Sequence, residues 1–161
     1  MTYLPYPPDR FSGSTGEQSA ALRRDAFPPE LDRPNTKAHY LATGAVTDGQ
    51  FGLYRWEMNE RNQGPDPHFH KSITESFYVL SGNVRLHDGE GWVDAEAGDF
   101  LYVPQGGIHG FKNESGEPAT MLLLFTPGAP REDYFERVHT VGDMDPAEAE
   151  EFFVKHDTFW V

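Results

Sequence analysis

Between residues 38 and 125, short apolar and aromatic runs alternate with polar positions at period two, and Gly, Asp, Asn or Pro interrupt them at regular intervals. On a strand, every second side chain lies on the same face. The spacing therefore predicts an all-β unit of short antiparallel strands, a barrel or sandwich. Strands are expected over 39–46, 50–58, 67–70, 75–81, 83–87, 91–94, 100–103, 109–112 and 119–125. Thr47-Asp48-Gly49, Asp88-Gly89-Glu90-Gly91 and Ser115-Gly116-Glu117 supply turn residues that tolerate positive φ. In the second run, Tyr54, Trp56 and Met58 alternate with the charged Arg55 and Glu57, so the first three face inward. They are candidate pocket walls together with Phe111 and Phe125, and ordinary core packing is the weightier reading for them.

The flanks lack this alternation. Residues 1–37 are rich in Pro, Gly, Ser and charge and read as an irregular arm. The barrel unit is expected over 38–128, with helices and a terminal strand over 129–161 packing on its outside. Pro130-Arg131-Glu132-Asp133 opens a short helix that puts Tyr134, Phe135 and Val138 on one face. Asp145-Pro146-Ala147-Glu148 then offers an N-cap, a Pro at the first helical position and a Glu at the third. Phe159-Trp160-Val161 is expected to return as a strand or plug.

At 161 residues the chain is one domain with enough apolar surface for a real core. Its formal charge of -13 has the wrong sign for neutralising phosphates or anionic lipid, so nucleic acid and membrane surfaces are poor partners. The absence of cysteine removes thiol catalysis, thiolate metal sites and disulfides together. Any strong metal ligand must be His or carboxylate. No secretory signal or membrane-length apolar run is evident, and a cytoplasmic location is expected.

Two blocks concentrate the chemistry. In the first, His68 and His70 lie two residues apart on a strand and share a face, and Glu75 follows after an interval long enough to turn back to that face. In the second, a turn at Gly98-Asp99, a strand into Pro104 and a tight Gln105-Gly106-Gly107 turn aim His109 inward as a fourth ligand. Two or three neutral imidazoles and one carboxylate suit a divalent first-row metal with positions left open to substrate. The donor set does not select among Fe, Ni, Mn, Co, Cu and Zn. His39, His87, His139 and His156 stand alone and read as ordinary surface or core residues.

These blocks resemble the two signature motifs of the cupin superfamily. His68, His70, Glu75 and Gly82 fit the first, and Gly98, Pro104, Gly106, His109 and Asn113 fit the second. One position departs: the Gly expected six residues before the first His is Asn62, and the nearest Gly is Gly64. The resemblance implies a jelly-roll barrel with one divalent metal in its mouth and a homodimer whose N-terminal arms exchange. It points first to a metal-dependent dioxygenase similar to the quercetin dioxygenase-like cupins, acting with O2 on a flavonol- or polyphenol-like molecule. Glu75 would there also accept a proton. A redox-neutral polyketide cyclase or isomerase and a non-catalytic small-molecule binder are the alternatives. Asn113-Glu114-Ser115 spells a glycosylation sequon, but Asn113 already belongs to the motif.

Overall fold

The structure is a computed structural model and describes residues 2–161. Its strands are β1 (Leu31–Arg33), β2 (Thr36–Ala42), β3 (Gly52–Met58), β4 (His68–Phe69), β5 (Thr74–Ser81) and β6 (Asn83–His87). They continue as β7 (Trp92–Glu96), β8 (Phe100–Val103), β9 (Gly110–Lys112), β10 (Ala119–Thr126) and β11 (Phe159–Trp160). All nine expected strands form. β1 and the first residues of β2 occupy the end of the expected arm, so regular structure begins at Leu31 rather than after Lys37. Residues 2–30 contain neither helix nor strand and are mostly exposed.

One sheet has the order β1-β2-β3-β10-β5-β8, all antiparallel. β7-β6-β9 and β11-β4 face it, and isolated bridges Asn62↔Asn113 and His68↔His109 lay the 62–69 segment along β9. The two layers close on an apolar interior. β10 shows why: Ala119, Met121, Leu123 and Phe125 are buried while the residues between them are half-buried, the period-two pattern of a central strand. Tyr54, Phe77, Met121 and Leu123 are fully enclosed.

α1 (Arg131–Arg137), a short 3-10 segment (Val138–Asp143) and α2 (Pro146–Lys155) follow the barrel. The predicted capping box is present at α2: Asp145 accepts from the Ala147 and Glu148 amides, and the Glu148 carboxylate accepts from the Asp145 amide. Among the described residues no helix is long and apolar enough to cross a membrane.

The placement of α1 corrects the expectation that the helices lie on the outside of the barrel. Phe135 packs on Trp56, Tyr54 and Phe125 with ring centroids 5.0, 5.2 and 6.1 Å apart, so α1 closes one end of the interior. The amphipathic pattern located the buried face of α1 but not what that face covers.

Candidate metal centre

β4 and the residue just before β9 bring the imidazoles together. The amide of His68 donates to the His109 carbonyl and the amide of His109 to the His68 carbonyl, both at 2.9 Å. This reciprocal pair brings the rings to a centroid separation of 4.3 Å. His70 follows one residue after β4, with its ring 5.1 Å from each of the other two. Its carbonyl accepts the Gly106 amide at 2.7 Å, a contact made from the tight turn where Gly106 takes φ +80°, a left-handed value that favours glycine. The second block thus clamps the first.

Glu75, the second residue of β5, completes the set. Its Oε2 lies 3.1 Å from His70 Nε2 and 2.8 Å from His109 Nε2. One donor atom from each of His68, His70, Glu75 and His109 falls within 4.8 Å of the others, and all four residues are buried. The structure therefore brings together every ligand expected from the sequence.

The tautomers are set by what lies behind each ring. His68 Nδ1 is 2.9 Å from the Asp66 carbonyl, His109 Nδ1 is 2.9 Å from the Gly107 carbonyl, and His70 Nδ1 meets the Asp157 carbonyl. A carbonyl only accepts, so each Nδ1 carries the hydrogen, and in the neutral ring Nε2 keeps its lone pair. Three such nitrogens and one carboxylate, buried and convergent, fit a divalent transition ion.

The electrostatics agree. Burial, with the neighbouring His109 adding to it, lowers the His68 pKa to about 4 against an opposing pull from Glu75. Burial lowers His109 too, but its hydrogen bond to Glu75 and that carboxylate's charge reverse the effect and leave it raised. For Glu75, burial pushes the carboxyl up, whereas His109 and His70 through hydrogen bonds and charge hold it well below the ordinary carboxylate range. His68 is thus kept neutral and Glu75 ionised.

One consequence is measurable. Unfolded His68 takes up a proton near pH 6.5 and the folded residue only near pH 4, so acidification through that window favours unfolding. The melting temperature of metal-stripped protein is expected to fall between those values, and His68→Gln to flatten the fall. An unchanged slope in the variant would show that other groups govern it.

Asp157 is a supporting residue with no signal in the sequence beyond a polar residue after a helix. It has φ 53°, and its carboxylate accepts from the Lys71 amide (2.9 Å), the Ser72 amide (2.8 Å) and Ser72 Oγ (2.7 Å). These bonds tie the loop after His70 to the carbonyl that orients its ring. Asp157→Ala is expected to weaken metal affinity by about 10–100-fold with the fold retained, read by competition with a chromogenic chelator. An unaltered affinity would remove the supporting role.

Above the four ligands lies a cavity of about 360 Å³. His68 and Glu75 contribute to its wall, along with Trp56, Phe111, Phe125, Arg131 and Trp160. Of the five residues expected at a substrate pocket, Trp56, Phe111 and Phe125 line this cavity. Tyr54 and Met58 do not line it and are sealed in the core at 0% and 2% exposure. Alternation marks an inward side chain, and only the third dimension separates core from cavity. The Tyr54 hydroxyl is held by the Glu132 carboxylate of α1.

The departure at Asn62 is also explained. Its amide nitrogen donates to the Asn35 carbonyl (2.9 Å) and to Thr36 Oγ1, while its Oδ1 accepts from the Gly64 amide at 2.9 Å. Gly64 has φ +58°, and a Cβ there would come within 1.8 Å of the Phe111 carbonyl oxygen. Gly64 supplies the close approach two residues later. Asn113 is fully buried, donating at 2.7 Å to both the Asn59 and Glu117 carbonyls, so the sequon is a loop staple.

Comparison with known proteins agrees with this geometry. The cupin domain family matches residues 54–125, the segment that contains all four ligands. The chain carries a cupin domain. Quercetin 2,3-dioxygenase of Bacillus subtilis is 32% identical over 88 residues, 55% of this chain. The match spans only 26% of that protein's length. Among solved structures, a predicted oxalate decarboxylase from Thermotoga maritima superposes with TM-score 0.58 at 18% identity, covering 66% of this chain and 97% of that one. A sugar phosphate isomerase of the cupin superfamily from Silicibacter pomeroyi gives TM-score 0.50 at 26% identity, covering 57% and 59%. These likenesses establish the cupin jelly roll, with enzymes of several reaction types among the proteins that share it.

Proposed function

We propose that this cupin is a metal-dependent enzyme acting on a small, planar, oxygenated organic molecule, with dioxygenation as the leading reaction. The observation that carries the reading is the buried three-imidazole, one-carboxylate cluster at the wall of an aromatic cavity. On an ion that takes six ligands, these four protein donors leave two positions for exogenous ligands.

His68, His70, His109 and Glu75 would hold the ion. When bound, it supplies Lewis acidity and an open position, with a net charge near +1 from three neutral rings and one carboxylate. The protein's own residues do the rest. The carbonyls of Asp66, Asp157 and Gly107 keep the three Nε2 atoms aimed at one point. Trp56, Phe111 and Phe125 form flat walls that orient a planar substrate and exclude water. Glu75, ionised and lining the cavity, accepts a proton from a substrate hydroxyl at Oε2.

The local identity to quercetin 2,3-dioxygenase supports an oxygen-using reaction. A second, redox-neutral reading, an isomerase or cyclase, is supported by the likeness to the sugar phosphate isomerase. Metal analysis of the purified protein and oxygen uptake with a panel of flavonols and polyphenols separate them. Uptake in stoichiometry with substrate loss is the expected result. Turnover without uptake would replace it with the second reading, and a metal-free, inert protein would overturn both.

A homodimer belongs to the same proposal. The outward faces of β5 and β8 expose Tyr78, Phe100 and Tyr102 beside one another, an apolar surface suited to a second copy. Sedimentation giving a monomer at micromolar concentration would remove it.

A further inference from the structure

The cavity wall contains a cation that the metal chemistry does not use. Arg131, the first residue of α1, is only 4% exposed. Among the described residues it makes no salt bridge with any carboxylate. One guanidinium nitrogen donates to the His156 carbonyl at 2.6 Å, and the buried Nε has no partner. Aromatic faces surround the rest: the guanidinium carbon lies 4.3 Å from the Tyr134 ring centroid, 5.3 Å from Phe125 and 5.7 Å from Phe135. Cation–π contacts offset part of the cost of burying the charge but do not satisfy its planar fork of donors.

A second donor in the same wall is in the same condition. Trp56 Nε1 is buried without a partner, and both side chains flank Phe135. Native structures rarely leave such donors unpaired unless something else pairs them. Two orphaned N–H groups, one on a permanent cation, belong to side chains that line one cavity, and such a pair calls for an acceptor-rich anion.

We propose that the cavity takes an organic anion, an aromatic or conjugated carboxylic acid with a further ring oxygen. Its carboxylate is held by Arg131, with Trp56 Nε1 donating to another acceptor, and its ring oxygen faces the four-ligand cluster. The inference rests on the cavity being the substrate site, and it narrows the substrate class from neutral polyphenols to acids. The planar guanidinium matches a carboxylate in two parallel hydrogen bonds. Phe125 touches both ends of the site: it carries the Arg131 contact on one side, and in the sheet it is the register partner of Glu75. An anchor and a metal centre bridged by one ring suit a ligand of about one aromatic ring.

The test uses the metal-loaded full chain with 3,4-dihydroxybenzoate and its neutral amide, followed by tryptophan fluorescence and calorimetry. The carboxylate is expected to bind about 10–100-fold more tightly than the amide, the range of a charge-assisted hydrogen-bonded pair. Arg131→Gln should abolish that preference while metal content is retained. Because this variant leaves the buried core short of a donor, the wild-type carboxylate-to-amide ratio stands as an independent readout. Equal affinities, or a preference that survives in a folded Arg131→Gln protein, would overturn the inference. Turnover of neutral polyphenols with no advantage to the acid would overturn it and leave the enzyme reading standing. Arg131-dependent acid binding without turnover of any substrate would support the anion site while defeating the enzyme reading.

Discussion

Replacing His109 with alanine is expected to leave the purified protein without bound metal and without turnover. His109 is 1% exposed, and its two ring nitrogens are fully committed, one to the Gly107 carbonyl and one toward Glu75. The variant loses a ligand and also takes away one of the two imidazoles beside Glu75, a buried carboxylate. Removing the partner of a buried charge costs about 3–5 kcal/mol. For a chain of this size that is roughly 6–20 °C in melting temperature. Elemental analysis and thermal unfolding on the same preparation read both effects. His139→Ala, at an exposed histidine outside the cluster, should change neither. Stoichiometric metal in a folded His109→Ala protein would sink the four-ligand assignment.

Glu75→Gln is the second large effect and separates ligation from proton transfer. Glutamine keeps the size of the side chain and one carbonyl oxygen that can face an ion, but it accepts no proton. The expected outcome is partial metal retention with kcat lowered by about 10²–10⁴-fold, the range for losing a positioned acid–base group. The acid limb of the pH profile should disappear with it. Because His109 and His70 hold the carboxyl below its ordinary range, wild-type activity should persist to lower pH than an exposed glutamate would allow. Turnover intact with metal retained would reduce Glu75 to a ligand.

The sequence was most informative where one physical rule acts alone. His68 and His70 share a face because strand geometry has period two, and the glycines and proline around His109 restrict the backbone to a turn that aims it inward. β1 escaped because three residues, Leu31, Asp32 and Arg33, are too few to show a period. The division between Tyr54 and Met58 in the core and Trp56 at the cavity escaped because alternation is blind to what lies beyond the inner face. Arg131 escaped for a stronger reason. Arginine is almost always solvated, and its burial follows from where α1 lands on Phe125 and Trp56, a tertiary outcome with no local signature. Asp157 belongs to the same class, since its role depends on a contact 87 residues away along the chain.

That long-range contact has a consequence for how the protein matures. β11 pairs Phe159 with Phe69 and Trp160 with His68, and the Asp157 carbonyl sets the His70 ring. During translation these residues emerge from the ribosome only after every strand of the cupin domain. A nascent chain halted at Lys155 would have its barrel sequence complete yet would lack the strand beside His68 and the carbonyl behind His70. If the cluster holds its ion as proposed, this wiring would make ion capture a late event in biogenesis, and truncated products would be poor competitors for the cell's metal supply.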